Sequence, residues 1–181
     1  DDRMWGNDGD DWLDGGQGND RMVGQDGDDG LVGGAGDDRV DGGKGHDELF
    51  GGDGDDQLHG GAGYDYLEGG NGEDRIRGGA QGDTLDGGAG DDRLYGDNGK
   101  DVLIGGAGDD RMFGGAGDDP FEFEGAFGHD TVYDFNAGDT IAFHGFSLED
   151  VDISGYGSTT LSVEGYVSVK LIGYGANEFD T

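Results

Sequence analysis

From Gly6 to Glu122 the sequence divides without interruption into thirteen blocks of nine residues, among them GGQGNDRMV (Gly15 to Val23), GGAGDDRVD (Gly33 to Asp41) and GGDGDDQLH (Gly51 to His59). The first position is Gly in all thirteen blocks, and the fourth is Gly in all but one, where Gln81 stands. The sixth is Asp throughout: Asp11, Asp20, Asp29, Asp38, Asp47, Asp56, Asp65, Asp74, Asp83, Asp92, Asp101, Asp110 and Asp119. The eighth is always apolar, from Leu13 and Met22 to Phe121. A fixed period of this kind specifies stacked, identical units, each burying its apolar face only against its neighbours.

Each column has a physical meaning. Gly at positions one, two and four permits positive φ and close backbone approach, so the GGxG stretch is a turn with available carbonyls. Asp at position six offers a hard anionic oxygen, which together with carbonyls suits Ca²⁺. Positions seven to nine place one apolar side chain inward between two outward ones, as a strand does. Position seven also alternates by parity. Arg3, Arg21, Arg39, Gln57, Arg75, Arg93 and Arg111 lie eighteen residues apart, whereas the other parity carries Trp12, Gly30, Glu48, Tyr66, Thr84, Val102 and Pro120. Two blocks per coil would stack the arginines as a ladder on one of two chemically different sheets, at a strand spacing of about 4.8 Å.

The nonapeptide G-G-x-G-x-D-x-U-x in residues 1–122 resembles that of the RTX (repeats-in-toxin) calcium-binding family. The resemblance implies an all-β parallel β-roll with 18 residues per coil, in which six residues turn around a Ca²⁺ and three form a short strand. An ion between a turn and the turn eighteen residues later has two Asp side chains in reach, such as Asp11 with Asp29 or Asp20 with Asp38. Pairs of that kind provide for on the order of ten ions. The candidate metal ligands are the thirteen Asp residues above, Asp130, and backbone carbonyls at positions two and four: Gly16, Gly18, Gly34, Gly36, Gly43, Gly45, Gly52, Gly54, Gly61, Gly63, Gly70, Gly72, Gly88, Gly90, Gly106 and Gly108. Position five adds Asp10, Asp28, Asp37, Asp55, Asp91, Asp109 and Asp118 as outer charge. His46, Tyr64, Gly82 and Lys100 interrupt that column, so the sites near Gln81–Gly82 and Lys100 are expected to be weaker.

Composition explains why an ion should be required. The chain has 181 residues, with 46 Gly and a formal net charge of −33. Glycine loses the most freedom on folding, stacked carboxylates repel, and one inward apolar side chain per block makes a thin core. Without divalent cations the repeats should stay unfolded at neutral pH; preferential binding of Ca²⁺ would reverse the balance. The glycines lack a period of three, which excludes collagen. No apolar run reaches the roughly 18 residues of a membrane span, and the charge opposes nucleic acid. There is no Cys, hence no disulfide or thiolate site. The chain begins at Asp1 without an initiator Met or signal-peptide pattern, which reads as a processed product or an excised piece.

After Glu122 the register slips by two residues, and Gly125 to Tyr133 still matches the repeat, with Asp130 in the ligand place. Glycine then thins out and aromatic residues increase. Thr140–Phe143, Val151–Ser154, Thr159–Glu164 and Val167–Ile172 alternate as antiparallel strands do, with Gly165-Tyr166 as a hairpin turn. Residues 123–181 are therefore read as a degenerate repeat followed by a small antiparallel β cap, which covers the last coil's core and open edge. The segment also resembles the cap that follows the roll in secreted RTX proteins.

Catalytic signatures are absent: the four histidines form no H-E-x-x-H, and Gly145-Phe-Ser147-Leu-Glu149 fails as G-x-S-x-G. The arginine column has two readings. Each Arg could pair with the acid two residues before it, as in Asp37–Arg39 or Asp91–Arg93, contributing about 0–1 kcal/mol. Alternatively, Arg3, Arg21, Arg39, Arg75, Arg93 and Arg111 could hold an anionic polysaccharide of the alginate kind, guanidinium against carboxylate, with Trp5, Trp12, Phe50, Tyr66, Tyr95 and Phe113 as sugar-stacking contacts. The first reading is favoured by net charge. Asp119-Pro120 reads as an edge Pro ending regular pairing rather than a self-cleaving bond. By resemblance, the chain is expected to be a non-catalytic calcium module of a type I-secreted, extracellular protein. Its other partner would be an upstream catalytic or adhesive domain of the same polypeptide.

Overall fold

In the computed structural model, which describes residues 1–125, 127–145, 151–154, 159–163 and 167–172, every regular element is a strand. Seven strands on the first half of the repeats are β1 (Arg3–Asp8), β2 (Trp12–Gln17), β3 (Arg21–Asp26), β4 (Gly30–Ala35), β5 (Arg39–Lys44), β6 (Glu48–Asp53) and β7 (Gln57–Ala62). The repeats continue with β8 (Tyr66–Asn71), β9 (Arg75–Ala80), β10 (Thr84–Ala89), β11 (Arg93–Asn98), β12 (Val102–Ala107), β13 (Arg111–Ala116) and β14 (Pro120–Glu124). The tail adds β15 (His129–Val132), β16 (Thr140–His144), β17 (Val151–Ser154), β18 (Thr159–Val163) and β19 (Val167–Leu171).

The odd-numbered strands from β1 to β15 form one parallel sheet and the even-numbered strands from β2 to β16 form the other, so the chain is a parallel β-roll. Register is eighteen residues per coil: Arg3 pairs with Arg21, Arg21 with Arg39, and Thr84 with Val102. The strands are longer than the three residues implied by resemblance. β1 to β13 each span six, from position seven of one block to position three of the next, because positions two and three stay in the parallel ladder, as Gly16 does with Gly34 and Gln17 with Ala35.

Position-eight side chains meet between the sheets. Met22, Leu31, Leu49, Leu67, Ile76, Leu85, Leu94, Leu103, Met112 and Phe121 are all fully buried. At the far end Phe123, Phe127, Val132 and Phe135 widen this column into an aromatic cluster. The core is a single file of apolar residues from each sheet, and its thinness throws the burden of stability onto the turns.

The slip of two residues is absorbed within the roll. Arg111 pairs with Thr131 and Phe121 with Ile141, so the last coil takes twenty residues. Thr140–His144 corrects one expectation, since β16 runs parallel to β14 and extends the even sheet. The reason is that its alternating Ile141 and Phe143 continue the core ladder above Phe121 and Phe123, which a further turn around the roll delivers in parallel. Antiparallel pairing begins later, between β17 and β18 and between β18 and β19, while β19 lies parallel to β15. The expected hairpin turn at Gly165-Tyr166 lies outside the described residues.

Candidate metal centre

The two edges of the roll, where the chain passes from one sheet to the other, carry the position-six aspartates. Turns leaving odd strands hold Asp11, Asp29, Asp47, Asp65, Asp83, Asp101 and Asp119. Turns leaving even strands hold Asp20, Asp38, Asp56, Asp74, Asp92 and Asp110, and Asp130 continues this second edge. From Asp20 onward these carboxylates are at most 4% exposed, an extreme burial for a charged side chain.

From Asp20 onward each carboxylate uses one oxygen in the same way. The Asp11 N–H donates to Asp29 Oδ1 at 2.8 Å, Asp56 N–H to Asp74 Oδ1 at 2.8 Å, and Asp92 N–H to Asp110 Oδ1 at 2.9 Å. The pattern survives the slip, with Asp110 N–H donating to Asp130 Oδ1 at 2.9 Å. Oδ1 thus ties each turn to the one before it. The other oxygen is different: Oδ2 of Asp11, of every later position-six Asp and of Asp130 is buried without any hydrogen-bond partner. One such atom costs about 1–3 kcal/mol, and fourteen in register form a pattern.

The glycines explain where these oxygens look. Positions two and four, Gly117 apart, have positive φ, as at Gly16, Gly34 and Gly36; where Gly is replaced there, Asn7, Gln25, Asp97 and Gln81 adopt the same left-handed backbone. Position one does not: Gly15, Gly33 and Gly69 lie outside the left-handed region. They are glycine for space. A Cβ on Gly15 would lie 2.6 Å from Asp20 Oδ2 and 2.6 Å from the carbonyl oxygen of Gly33. At Gly69 the corresponding distances are 2.3 Å to Asp74 Oδ2 and 2.5 Å to Gly87 O. Each turn therefore has a hollow, bounded by an unpartnered carboxylate oxygen and a backbone carbonyl of the next coil, that a methyl group would fill.

Burial, opposed by the N–H bond to Oδ1 and reinforced by neighbouring carboxylates, pushes these acids up. Asp56 and Asp83 rise to about 7, Asp92 to about 8, and Asp47 and Asp101 to about 6. Asp130, with Asp110 beside it, rises to about 9. Asp20 is lowered, chiefly by the Asp2 N–H. Ionised together at neutral pH, these unpartnered oxygens would repel one another, so holding them as carboxylates needs a positive charge at the edge. Among the described residues no three of His, Cys, Asp or Glu converge on one point, so a metal held here would draw on few carboxylates, with backbone carbonyls beside them. That hard, oxygen-only donor set fits Ca²⁺ rather than zinc or copper.

Two features escaped sequence reasoning. The position-one carbonyls, such as those of Gly33 and Gly87, border the hollow, whereas the sequence directed attention to positions two and four. Asp139 joins the first edge, its Oδ1 accepting the Asp119 N–H at 2.9 Å; continuing the twenty-residue spacing from Asp119 would have found it. The arginine ladder exists in register, but its expected pairing does not. Among the described residues the one Arg ion pair joins Arg77 to Asp97 at 3.2 Å. The acid two residues before an Arg sits around the corner and is engaged by backbone, as when Asp37 Oδ1 accepts the Asp55 N–H and Asp91 Oδ1 the Asp109 N–H. Beside the ladder, Tyr95, Phe113 and Tyr133 stack at 4.9 and 4.7 Å, and Arg75 lies 5.3 Å from the Tyr95 ring centre.

The model of the RTX calcium-binding nonapeptide repeat matches residues 1–31, 32–67, 50–85, 68–103 and 86–119. No curated protein matches the chain. Among solved structures, the extracellular lipase LipA from Serratia marcescens is similar, with 22% identity and a TM-score of 0.39 over 98% of this chain. The present chain spans 39% of that lipase's length. With the repeat matched over most of its length, on a parallel roll whose edges present unpartnered aspartate Oδ2 atoms, the chain belongs to the RTX calcium-binding nonapeptide repeat family.

Proposed function

We propose that this chain is a non-catalytic module that folds when calcium enters the two edges of the roll. The observation that carries this reading is the row of buried Oδ2 atoms without partners. Asp11 to Asp119 and Asp130 supply the charged ligands, and turn glycines supply carbonyls, position one now joining positions two and four. On the order of ten ions are expected. Calcium, when bound, supplies the positive charge that offsets carboxylate repulsion. The chain's own part is to hold Oδ1 on the preceding turn, leave Oδ2 free, and keep the hollow clear with Gly. Residues 1–122 form the calcium-dependent roll and 123–181 its end. The physiological setting is export by a type I system in unfolded form, folding outside the cell, and support of an attached catalytic or adhesive domain. Equilibrium dialysis with ⁴⁵Ca tests the site count: uptake of one or two ions, unchanged in Asp56→Asn, would oppose the assignment.

A second reading is favoured by the unpaired arginines. An anionic, alginate-like polysaccharide could lie along Arg3, Arg21, Arg39, Arg75, Arg93 and Arg111, with the Tyr95–Phe113–Tyr133 stack as a sugar platform. Alginate calorimetry in calcium decides it. Heat of binding lost in Arg39→Ala plus Arg93→Ala supports the reading, and no binding, or binding indifferent to the double substitution, removes it.

A further inference from the structure

The two edges of the roll are built alike at position six and differ in the charge they carry around it. Over four turns at the middle of the second edge (residues 51–56, 69–74, 87–92 and 105–110) the charged residues are all acidic, and the net charge is −9. Over the four facing turns of the first edge (42–47, 60–65, 78–83 and 96–101), Lys44 and Lys100 join five aspartates for a net charge of −3. Position five makes most of the difference. On the second edge Asp55 Oδ1 accepts the Glu73 N–H and Asp91 Oδ1 the Asp109 N–H, each at 2.9 Å, fixing an outer row of carboxylates beside the buried one. On the first edge that row stops at Asp28, whose Oδ1 accepts the His46 N–H at 2.7 Å. The ring of His46 takes over, with Nδ1 accepting from Tyr64 N–H at 2.8 Å, and Tyr64, Gly82 and Lys100 bring no carboxylate to continue it. Of the acids that remain, Asp97 is already paired with Arg77.

The buried oxygens do not share this asymmetry. Oδ2 is unpartnered at Asp47, Asp65, Asp83 and Asp101 just as at Asp56, Asp74, Asp92 and Asp110, so both edges keep the inner donors for a cation. What differs is the field around them. Six charges distributed over three gaps is about two per gap. One carboxylate about 6 Å from a divalent ion in a water-like medium changes affinity roughly tenfold at low salt and a few-fold under screening.

Resting on the calcium reading above, we infer that the roll carries two unequal files of calcium sites. The second edge fills first and tightly, and the middle of the first edge fills last, about tenfold or more weaker. His46, Tyr64, Gly82 and Lys100 set the weak file. At intermediate calcium the molecule is then loaded along one edge, and completion of the other is what responds to further change in calcium.

Calorimetric titration of the full chain with calcium, together with two substituted chains, tests this. The unsubstituted chain should show two classes of site separated by about tenfold or more. His46→Asp with Lys100→Asp should draw the weak class toward the strong one, and Asp55→Asn with Asp91→Asn, which keeps the Oδ1 acceptors, should draw the strong class toward the weak. The second pair reduces the net negative charge, so it reports even where the first pair impairs folding. A single class in the unsubstituted chain, or affinities that neither pair moves, overturns the inequality while leaving calcium binding intact. Absence of calcium uptake altogether refutes the calcium reading itself.

Discussion

Replacing Asp74 by Asn should change stability in opposite directions with and without calcium. Asp74 is fully buried. Its Oδ1 accepts the Asp56 N–H at 2.8 Å and its own N–H donates to Asp92 Oδ1 at 2.7 Å, so it borders the gaps on both sides. Asn preserves shape and the Oδ1 acceptor and removes the charge. Burial, aided by Asp55, pushes the Asp74 carboxyl up to about 6 from an ordinary 3.8. Keeping it ionised at neutral pH costs at most about 3 kcal/mol, and solvent screening at the open edge reduces this to about 1–2 kcal/mol. Without metal, Asn should recover that amount. With metal it removes an anionic ligand from two gaps. A loss of tenfold to a hundredfold at each is about 1.4–2.8 kcal/mol per site, so the loaded protein should lose about 1–5 kcal/mol net. The assay is guanidinium unfolding in saturating calcium, beside osmolyte-induced folding in chelator. Asp74→Asn should unfold earlier in the first and fold at lower osmolyte in the second. The same sign in both would refute the argument that the edge carboxylates are a burden relieved by the ion.

Further outcomes follow from the same geometry. With chelator present, acid should favour the fold. Carboxyls raised to about 6–8 in the roll, such as Asp74, Asp56 and Asp92, bind more protons folded than unfolded. Their contribution is complete below about pH 4 and lost as pH rises through 6–8, so metal-free circular dichroism should show more β structure near pH 4.5 than at pH 8. Gly69→Ala, whose Cβ would meet Asp74 Oδ2 at 2.3 Å, should abolish uptake at that hollow. Gly9→Ala, with φ +108° and nothing within 4 Å, should cost only about 1–2 kcal/mol of backbone strain and leave the ion count intact. Calcium dialysis of the two variants distinguishes them. Asp139→Ala should lower thermal stability by about 1–3 kcal/mol without removing an ion. Both oxygens of Asp139 are already engaged, Oδ1 by the Asp119 N–H at 2.9 Å and Oδ2 by the Asn136 N–H at 2.6 Å.

Most of this architecture is legible because a strict period leaves few alternatives. Once Arg3, Arg21 and Arg39 share a column at eighteen-residue spacing, the two sheets, the register and the inward Leu67 and Leu85 follow. The Asp column and its association with calcium are legible for the same reason. What the sequence conceals are matters of direction. It cannot show that a position-six carboxylate turns one oxygen back to the previous coil, or that position one is Gly for the hollow rather than for φ. It equally hides that Asp37 and Asp91 spend themselves on backbone N–H groups, leaving Arg39 and Arg93 without them. In the tail, alternation at Thr140–His144 marks a strand but is silent on whether its partner runs parallel, and Asp139 was obscured because the coil had grown by two residues.

The central claim is that cations between Asp-bearing turns hold the roll together, and a calcium titration by far-UV circular dichroism, reversed with excess chelator, meets it most directly. The account predicts a disordered spectrum at neutral pH without calcium, a cooperative gain of β signal as calcium is added, and its loss on chelation. A chelated protein that kept the β spectrum and its resistance to heat would contradict it.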